Sequence, residues 1–198
     1  MGVTFRELER YEGSVDEQHD ARALVERARE GDERAWDTLY RGVYPRLLAY
    51  ARRRLASPEE AKDAVSETMT RAVAKIDRFT WTGGGFDAWV FGILRHVVLD
   101  NQRASGRRTS VPLVDRASGD AGPLERILDH EEAEAVRIAF TRLDPADQEL
   151  LELRVVGRLT SDEVAAVLGK RPGAVRTAQS RAVARLRSLM QEVADCAC

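Results

Sequence analysis

Six basic residues and no acidic residue lie between Lys170 and Arg187, near the end of the chain. The residues before them, 159–168, have the apolar periodicity of a short helix. Gly169 suits a left-handed turn, and Pro172 suits the first turn of a new helix. A short helix, a tight turn and a basic helix in this order are typical of a helix-turn-helix, whose second helix enters a DNA major groove.

One face of this second helix has the side chains that DNA contact requires. Arginine and hydroxyl side chains bind phosphates and base edges, and small residues let the backbone approach closely. We therefore predict DNA contacts from the following residues: Lys170, Arg171, Arg176, Thr177, Ser180, Arg181 and Arg185. Ser161 is expected to cap the first helix. The alternative is a solvated charged face on an ordinary helical hairpin, which the lack of any acidic residue disfavours.

A second candidate nucleic-acid surface lies upstream, in a loop with three consecutive glycines at 83–85. Aromatic rings that stack on bases, beside cations that hold the backbone, suit single-stranded nucleic acid. The candidates are the aromatic residues Trp81 and Phe86 and the basic residues Arg95, His96, Arg103, Arg107 and Arg108. The alternative is that the aromatic residues pack in the core, as we expect for Trp89.

The remaining pattern predicts an all-α fold. Apolar residues recur at helical spacing from Ala21 onward, and no stretch alternates as a strand would. A separate helix is predicted through Leu48 and Leu55. Residues 104–123 have the composition of a flexible linker, which divides the chain into two small helical domains. Helix starts are predicted at Asp32, Ser57–Pro58, Asp87 and Asp144–Pro145.

Composition excludes several classes of protein. With 198 residues, 43% hydrophobic and 32% charged, the chain can form packed helical cores, and its net charge of -2 does not itself indicate nucleic acid. Neither a transmembrane run of about 18 apolar residues nor a signal peptide is present, so we expect no membrane insertion. The only cysteines, Cys196 and Cys198, predict a reducing cytoplasm and lack the partners of a zinc site.

The sequence has no evident catalytic constellation. Asp63 and Glu67 lie four residues apart and could form a pair of catalytic carboxylates. Arg71 lies one turn further along, so an ion pair between Glu67 and Arg71 is the simpler explanation. The three glycines are not followed by the Gly-Lys-Ser/Thr of a phosphate-binding loop. We therefore expect a binding protein with no cofactor and no metal, and not an enzyme.

Four segments occur in the order found in bacterial sigma factors: Leu24–Tyr50, Asp63–Ala72, Phe86–Asp100 and the helix-turn-helix. Over residues 21–190 the chain resembles the extracytoplasmic-function (ECF) group of the sigma-70 class. The resemblance implies two functional domains, flanked by tails and joined by a linker. The implied boundaries are tail 1–20, region 2-like domain 21–103, linker 104–123, region 4-like domain 124–190 and tail 191–198.

The resemblance also implies partners and residue roles. The first domain would bind the clamp helices of the RNA polymerase core and melt the −10 promoter element. The second would bind the polymerase flap and read the −35 element with the basic helix, and an anti-sigma factor is a further expected partner. Polymerase binding would involve Asp63, Glu67, Thr68 and Arg71. The −10 element would meet Trp81, Phe86, Arg95, His96, Leu99, Asp100 and Arg103, in addition to Arg107 and Arg108.

The chain departs from the pattern of this family at a few positions. Ser66 stands where Gln is frequent, and Ala178 and Gln179 stand where Arg and Leu are frequent, which leaves base preference open. Two other functions also stay open on sequence grounds. A stand-alone helix-turn-helix regulator would bind an operator without polymerase. A protein-interaction module would bind an acidic protein partner in a complex that added DNA does not disturb.

Overall fold

The computed structural model describes residues 15–81, 84–106 and 135–196 of the chain. No strand occurs in these three ranges, which confirms the predicted all-α class. We call the described residues up to 106 the N-terminal unit and residues 135–196 the C-terminal unit. In chain order the helices are α1 (Val15–Arg29), α2 (Glu33–Arg54), α3 (Pro58–Lys75), a 3-10 turn (Ile76–Arg78), α4 (Gly85–Ala104), α5 (helical residues 135–141), α6 (Pro145–Val155), α7 (Ser161–Leu168) and α8 (Pro172–Cys196).

The first two caps lie where the sequence predicts them. The Asp32 carboxylate accepts backbone hydrogen bonds from Arg34 at 2.9 Å and Ala35 at 3.3 Å, which satisfies free N–H groups of α2. A side-chain hydrogen bond from Arg27, together with these backbone bonds, lowers the pKa of Asp32. Ser57 caps α3 in the same way, through a bond of 3.0 Å from the backbone N–H of Glu60.

The separate helix predicted through Leu48 and Leu55 is wrong, because α2 runs without interruption from Glu33 to Arg54. Pro45 lies inside α2, although proline removes a backbone donor and disfavours a helix interior. A continuous buried stripe of Leu39, Val43 and Leu47 crosses this position. Tertiary burial of an amphipathic face supplies most of the stability of a protein helix, and here it outweighs the local penalty.

The loop before α4 is anchored by core residues on both sides. Ile76 and Phe79 are buried, and α4 begins at Gly85, two residues before the predicted start at Asp87. Asp87 lies in the first turn of α4, where its charge favours the positive end of the helix dipole.

The helix-turn-helix geometry in the C-terminal unit agrees with the prediction except at its first cap. Thr160, and not Ser161, caps α7, and it forms a reciprocal capping box with Glu163. Gly169 ends α7 in the left-handed region, with φ of 64°, and Pro172 is the first residue of α8. Asp144 caps α6, directly before Pro145, as predicted.

The two units share one hydrophobic core. Helix α4 of the N-terminal unit packs along α7 of the C-terminal unit, and Phe91 lies completely buried between Tyr50 and the end of α6. Gly157, just after α6, approaches Phe91 so closely that a Cβ there would lie 3.2 Å from the ring. The two helical segments that the sequence separates by a linker are therefore in direct contact.

Candidate nucleic-acid interface

The outward face of the helix-turn-helix is exposed along its full predicted length. We call it the α8 face, and its residues Lys170, Arg171, Arg176, Thr177, Ser180, Arg181 and Arg185 are all exposed. On the opposite side of α8, Val175 and Ala182 are fully buried and Leu186 is nearly so. The 3.6-residue period of the sequence therefore separates a core side from a basic side, as predicted.

Most polar groups on the α8 face have only weak or local partners. Thr177 Oγ1 and Ser180 Oγ donate to backbone carbonyls of their own helix, at 3.0 and 3.2 Å. Arg176 lies 3.5 Å from Asp162, and both side chains are more than half exposed, so water screens this ion pair strongly. A phosphate group could replace each of these partners at small cost.

Arg185 differs from the rest of the α8 face, because it forms an ion pair with Asp147 of α6. The Asp147 side chain is only 19% exposed, and this contact joins the second half of α8 to α6 of the same unit. Arg185 would have to leave Asp147 before it could reach a DNA phosphate.

Gln179, whose packing the sequence left open, is held by a buried arginine. Arg154 of α6 donates from Nε to Gln179 Oε1 at 2.8 Å and from Nη1 to the carbonyl oxygen of Leu159. Arg154 is 7% exposed, so both bonds lie in a low-dielectric setting. The guanidinium thus joins α6, the turn before α7 and the recognition helix α8. No local motif indicates this role, because Arg154 and Gln179 lie 25 positions apart.

The predicted −10 residues of α4 divide into engaged and exposed side chains. Arg95 donates to both carboxylate oxygens of Glu149 in α6, at 2.8 and 3.3 Å, and its side chain is 27% exposed. His96 is exposed, with Nδ1 lying 2.7 Å from the Gly92 carbonyl oxygen. Asp100 and Arg103 are exposed and pair with each other at 3.1 Å, and Leu99 is half-buried. The predicted contacts Arg107 and Arg108 lie outside the described residues.

The aromatic residues beside the glycine loop belong mostly to the core. Phe86 is 3% exposed and packs against Trp36, Phe79 and Trp89, so its assignment as a base-contacting residue is corrected. Its ring fills the core at the start of α4 and offers no face to a base. Trp89 is partly buried and packs against the core, as expected.

Trp81 is half-buried in the same aromatic group. Its ring packs edge-on against Phe79 at a centroid distance of 5.0 Å, and the guanidinium of Arg22 lies 5.8 Å from its centre. Its indole Nε1 is buried and has no hydrogen-bond acceptor among the described residues.

The predicted polymerase-binding residues of α3 lie on two different sides of the helix. Asp63 and Glu67 are exposed, and Glu67 accepts a 2.6 Å hydrogen bond from Arg71, which confirms the simpler explanation of their spacing. Thr68 is completely buried, and its Oγ1 donates to the Ala64 carbonyl oxygen at 2.7 Å. Its assignment as a surface contact is therefore corrected, because it lies on the same side as Ala64 and Val65.

Sequence reasoning missed a group of buried charges where α2 meets α6. Arg54 lies 3.3 Å from Glu149 and 3.2 Å from Glu152, and it is only 12% exposed. Burial raises the pKa of Glu152 to about 7, against the attraction of Arg54 and Arg53, and burial also raises the pKa of the Tyr50 phenol. Tyr50 Oη lies 3.4 Å from Glu149. We call Tyr50, Arg54, Arg95, Glu149 and Glu152 the junction cluster.

The described ranges hold neither a candidate metal site nor a candidate membrane span. No group of three or more His, Cys, Asp or Glu side chains there is arranged to hold a metal ion. Cys198, and the side chain of Cys196, lie outside these ranges. None of the described helices is long and apolar enough to cross a membrane.

An all-α chain that ends in a helix-turn-helix with an exposed basic second helix has the architecture of a DNA-binding protein. Comparison of the sequence with known protein families supports this class of protein. Residues 39–108 match the Sigma-70 region 2 family, and residues 133–186 match the Sigma-70 region 4 family. The first match covers α4 and the loop before it, and the second covers α7, the turn and α8 as far as Leu186.

Individual relatives support the same family. The ECF RNA polymerase sigma factor ShbA of Streptomyces griseus is 39% identical over 181 residues, which cover 86% of this chain and 95% of that protein. The ECF RNA polymerase sigma factor BldN of Streptomyces coelicolor is 34% identical, over 85% of this chain and 65% of that protein. The solved structure of CnrH in complex with the cytosolic domain of CnrY is 26% identical, with a TM-score of 0.63, and the match covers 87% of this chain and 98% of that chain. The chain belongs to the ECF sigma factors of RNA polymerase.

Proposed function

We propose that this sigma factor directs RNA polymerase by two separate DNA contacts, one made by each unit. The observation that carries this proposal is the exposed, acid-free α8 face behind the left-handed turn at Gly169. This face binds the −35 element as duplex DNA. Lys170 and Arg171, directly before α8, contact phosphates, and Arg176 and Arg181 reach base edges.

The N-terminal unit binds the −10 element after the strands separate. His96, Asp100 and Arg103 are exposed on α4 and contact the unpaired strand, together with Arg95 once it is released from Glu149. Trp81 supplies a ring for stacking on a base. The indole N–H of Trp81 has no acceptor among the described residues, and this, with the half-buried position of the ring, supports a second position of the side chain.

The exposed carboxylates Asp63 and Glu67 on α3 form the contact with the clamp helices of the polymerase core. Arg71 keeps Glu67 extended through their ion pair, which is weak enough to exchange for a partner on the polymerase. The C-terminal unit contacts the polymerase flap. The functional domains are residues 21–103 and 124–190, joined by the linker at 104–123.

This mechanism consists of binding steps only, so we propose that the chain is not an enzyme and needs no cofactor. It works in the cytoplasm, where RNA polymerase and promoter DNA are found. CnrH is solved in complex with the cytosolic domain of CnrY, and we extend this to a protein partner of the anti-sigma type for the present chain.

The test is size-exclusion chromatography of the full chain with core RNA polymerase at moderate salt. We expect co-elution, and we expect the double charge reversal Asp63→Lys with Glu67→Lys to abolish it. The matched control is Glu30→Lys with Asp37→Lys, which makes the same change of charge at exposed positions outside α3. Promoter run-off transcription with the reconstituted enzyme then tests initiation.

A folded chain that does not co-elute with core polymerase, yet binds duplex DNA alone, would contradict the proposal and favour a stand-alone regulator. Equal loss of co-elution in the α3 variant and its control would contradict only the assignment of the polymerase contact to α3.

A further inference from the structure

The recognition helix α8 packs on α6 and α7 through a narrow apolar stripe. Its buried side chains Val175, Ala182 and Leu186 lie within an arc of about 40° around the helix axis, since successive residues are about 100° apart. Hydrophobic contact is non-directional, so a narrow stripe fixes the depth of packing more firmly than the rotation of the helix. A directional contact beside the stripe would therefore determine how α8 is rotated.

The hydrogen bond between Arg154 and Gln179 is such a contact. Gln179 lies about 40° from Val175 around the axis, between the buried stripe and Arg176 on the α8 face. Its Oε1 accepts from Arg154 Nε at 2.8 Å. A hydrogen bond from a charged donor is stronger than one between neutral groups, and it requires a short distance and an aligned angle. Rotation of α8 in either direction would lengthen or bend this bond.

Arg154 is itself held in place by the residues around it. Its side chain is 7% exposed, and Nη1 donates to the backbone carbonyl oxygen of Leu159, in the turn between α6 and α7. Leu159 is completely buried, and the residue before it, Arg158, has a left-handed backbone with φ of 50°. The guanidinium is therefore a fixed point, shared by α6 and this turn, against which α8 is oriented.

Small rotations of α8 matter for base recognition. A side-chain end about 6 Å from the axis moves by about 2 Å when the helix turns by about 20°. Hydrogen bonds to base edges form only at about 2.7–3.2 Å, so such a movement changes the base edge that an arginine reaches. The displaced side chains would include Arg176 and Arg181, the proposed base contacts of the α8 face.

From this geometry we propose that Arg154 and Gln179 are a positioning pair, which sets the rotation of α8 and thereby the base preference at the −35 element. This role of the pair rests on the proposed binding of duplex DNA by the α8 face. Arg154 is too deeply buried to reach DNA, so its effect on base preference passes through the position of α8. Position 179 departs from the family pattern, in which Leu is frequent, and leucine cannot accept a hydrogen bond from a guanidinium.

The test measures the base preference of the full chain reconstituted with core RNA polymerase. The reconstituted enzyme selects from a library of duplexes with random sequence, and sequencing of the bound fraction gives a −35 and a −10 preference for each variant. We expect Gln179→Leu and Arg154→Met to change the preference at the same −35 positions by roughly tenfold, since one base contact contributes discrimination of that order. Gln179→Glu keeps an acceptor for Arg154 and should retain the wild-type preference.

Two controls separate positioning from a general loss of stability. The −10 preference should stay unchanged in every variant. Gln191→Leu makes the same substitution at an exposed position near the end of α8, and its −35 preference should equal that of the wild type. A variant that only folds less well binds less duplex with an unchanged base preference, and circular dichroism measures the folded fraction.

An unchanged −35 preference in folded Gln179→Leu would overturn the positioning pair. So would a change in Gln179→Leu that is absent from folded Arg154→Met, because Gln179 would then read a base directly, or an equal change in Gln191→Leu. If Arg154→Met does not fold, Gln179→Glu decides, because a preference altered as in Gln179→Leu would show that the hydrogen bond does not set it. Failure of the proposed function is visible in the wild-type chain alone, as the absence of any −35 preference, whereas failure of the pair is visible only among the variants.

Discussion

At the scale of single residues, the buried carboxyl group of Glu152 in the junction cluster makes the stability of the chain depend on pH. Its pKa is about 7 in the folded chain because burial disfavours the charged form, and the ordinary value is 4.5. The folded chain therefore holds this proton more tightly than the unfolded chain does. The protonated carboxyl group of Glu152 therefore stabilises the folded chain. This contribution to the free energy of unfolding is fully present below about pH 4.5 and is lost as pH rises through about 7.

We predict that the free energy of unfolding falls between about pH 5 and about pH 8, by on the order of 2 kcal/mol from this group alone. Urea denaturation at the two pH values measures it. Glu152→Gln cannot titrate, so it should show a smaller fall, whereas the exposed control Glu192→Gln should behave as the wild type. An identical fall in Glu152→Gln would show that other groups carry the pH dependence.

Arg181 is the clearest single test of the α8 face. The Arg181→Ala variant should weaken binding to promoter duplex by about 1–3 kcal/mol if the guanidinium contacts a base. Arg41→Ala removes the same charge from an exposed position on α2 and should have little effect. Equal affinities of the two variants in a mobility-shift titration would remove Arg181 from the site.

The helical period predicted which residues share an exposed face. It did not predict which of the residues matched to the family pattern are buried. The α8 face follows from the period, because its core side is marked by Val175 and Ala182. Thr68 and Phe86 match the family pattern but lie on inward sides, where Ala64 and Trp36 contact them. Family likeness identifies a segment, and it does not decide which side of a helix meets a partner.

At the scale of elements, the turn between α7 and α8 depends on backbone freedom. Gly169 has φ of 64°, and a Cβ there would meet no atom within 4 Å, so only backbone strain opposes a side chain. Gly169→Ala should lower the free energy of unfolding by about 1 kcal/mol. Gly42→Ala is the matched control, because Gly42 lies inside α2 and also has open space.

In the α2 interior, alanine is favoured over glycine by about 0.5–1 kcal/mol, so Gly42→Ala should stabilise the chain. Urea denaturation of both variants measures the two changes in the free energy of unfolding. If both variants change the free energy of unfolding in the same direction, then packing, and not backbone conformation, determines the effect at one of the two positions.

Helix starts were largely predictable, because capping is a local interaction. Asp32, Ser57 and Asp144 accept backbone hydrogen bonds as expected. At α7 the cap is Thr160, and the spacing from Thr160 to Glu163 fits the Thr-x-x-Glu capping box better than a cap at Ser161. The continuity of α2 through Pro45 was not predictable locally, since it depends on burial against other helices.

At the scale of the whole molecule, the shared core should make the two units unfold together. All three tryptophans, Trp36, Trp81 and Trp89, belong to the N-terminal unit, whereas far-ultraviolet circular dichroism reports helices in both units. We predict coincident urea transitions by fluorescence and circular dichroism for the wild-type chain. Leu150→Ala, a core truncation in α6, should shift the tryptophan transition too.

Separate transitions, or a tryptophan signal that ignores Leu150→Ala, would show that the junction is too weak to couple the units. The junction itself could not be predicted from the sequence. Tyr50 and Glu149 lie 99 positions apart, and Arg46 and Gly157 lie 111 positions apart. No local periodicity, cap or motif encodes pairs at such separations, and the linker composition argues for the opposite arrangement.

The unequal exposure of α8 and α4 has a consequence for the order in which their proposed DNA contacts form. Duplex DNA is abundant along a chromosome, and unpaired strands are short-lived and scattered. In the described arrangement the α8 face is exposed and Arg95 is bonded to Glu149, so the proposed duplex contact is accessible and the proposed contact from Arg95 is not. On the proposed function, duplex binding by α8 therefore precedes the contact from Arg95, which follows the release of Arg95 from Glu149.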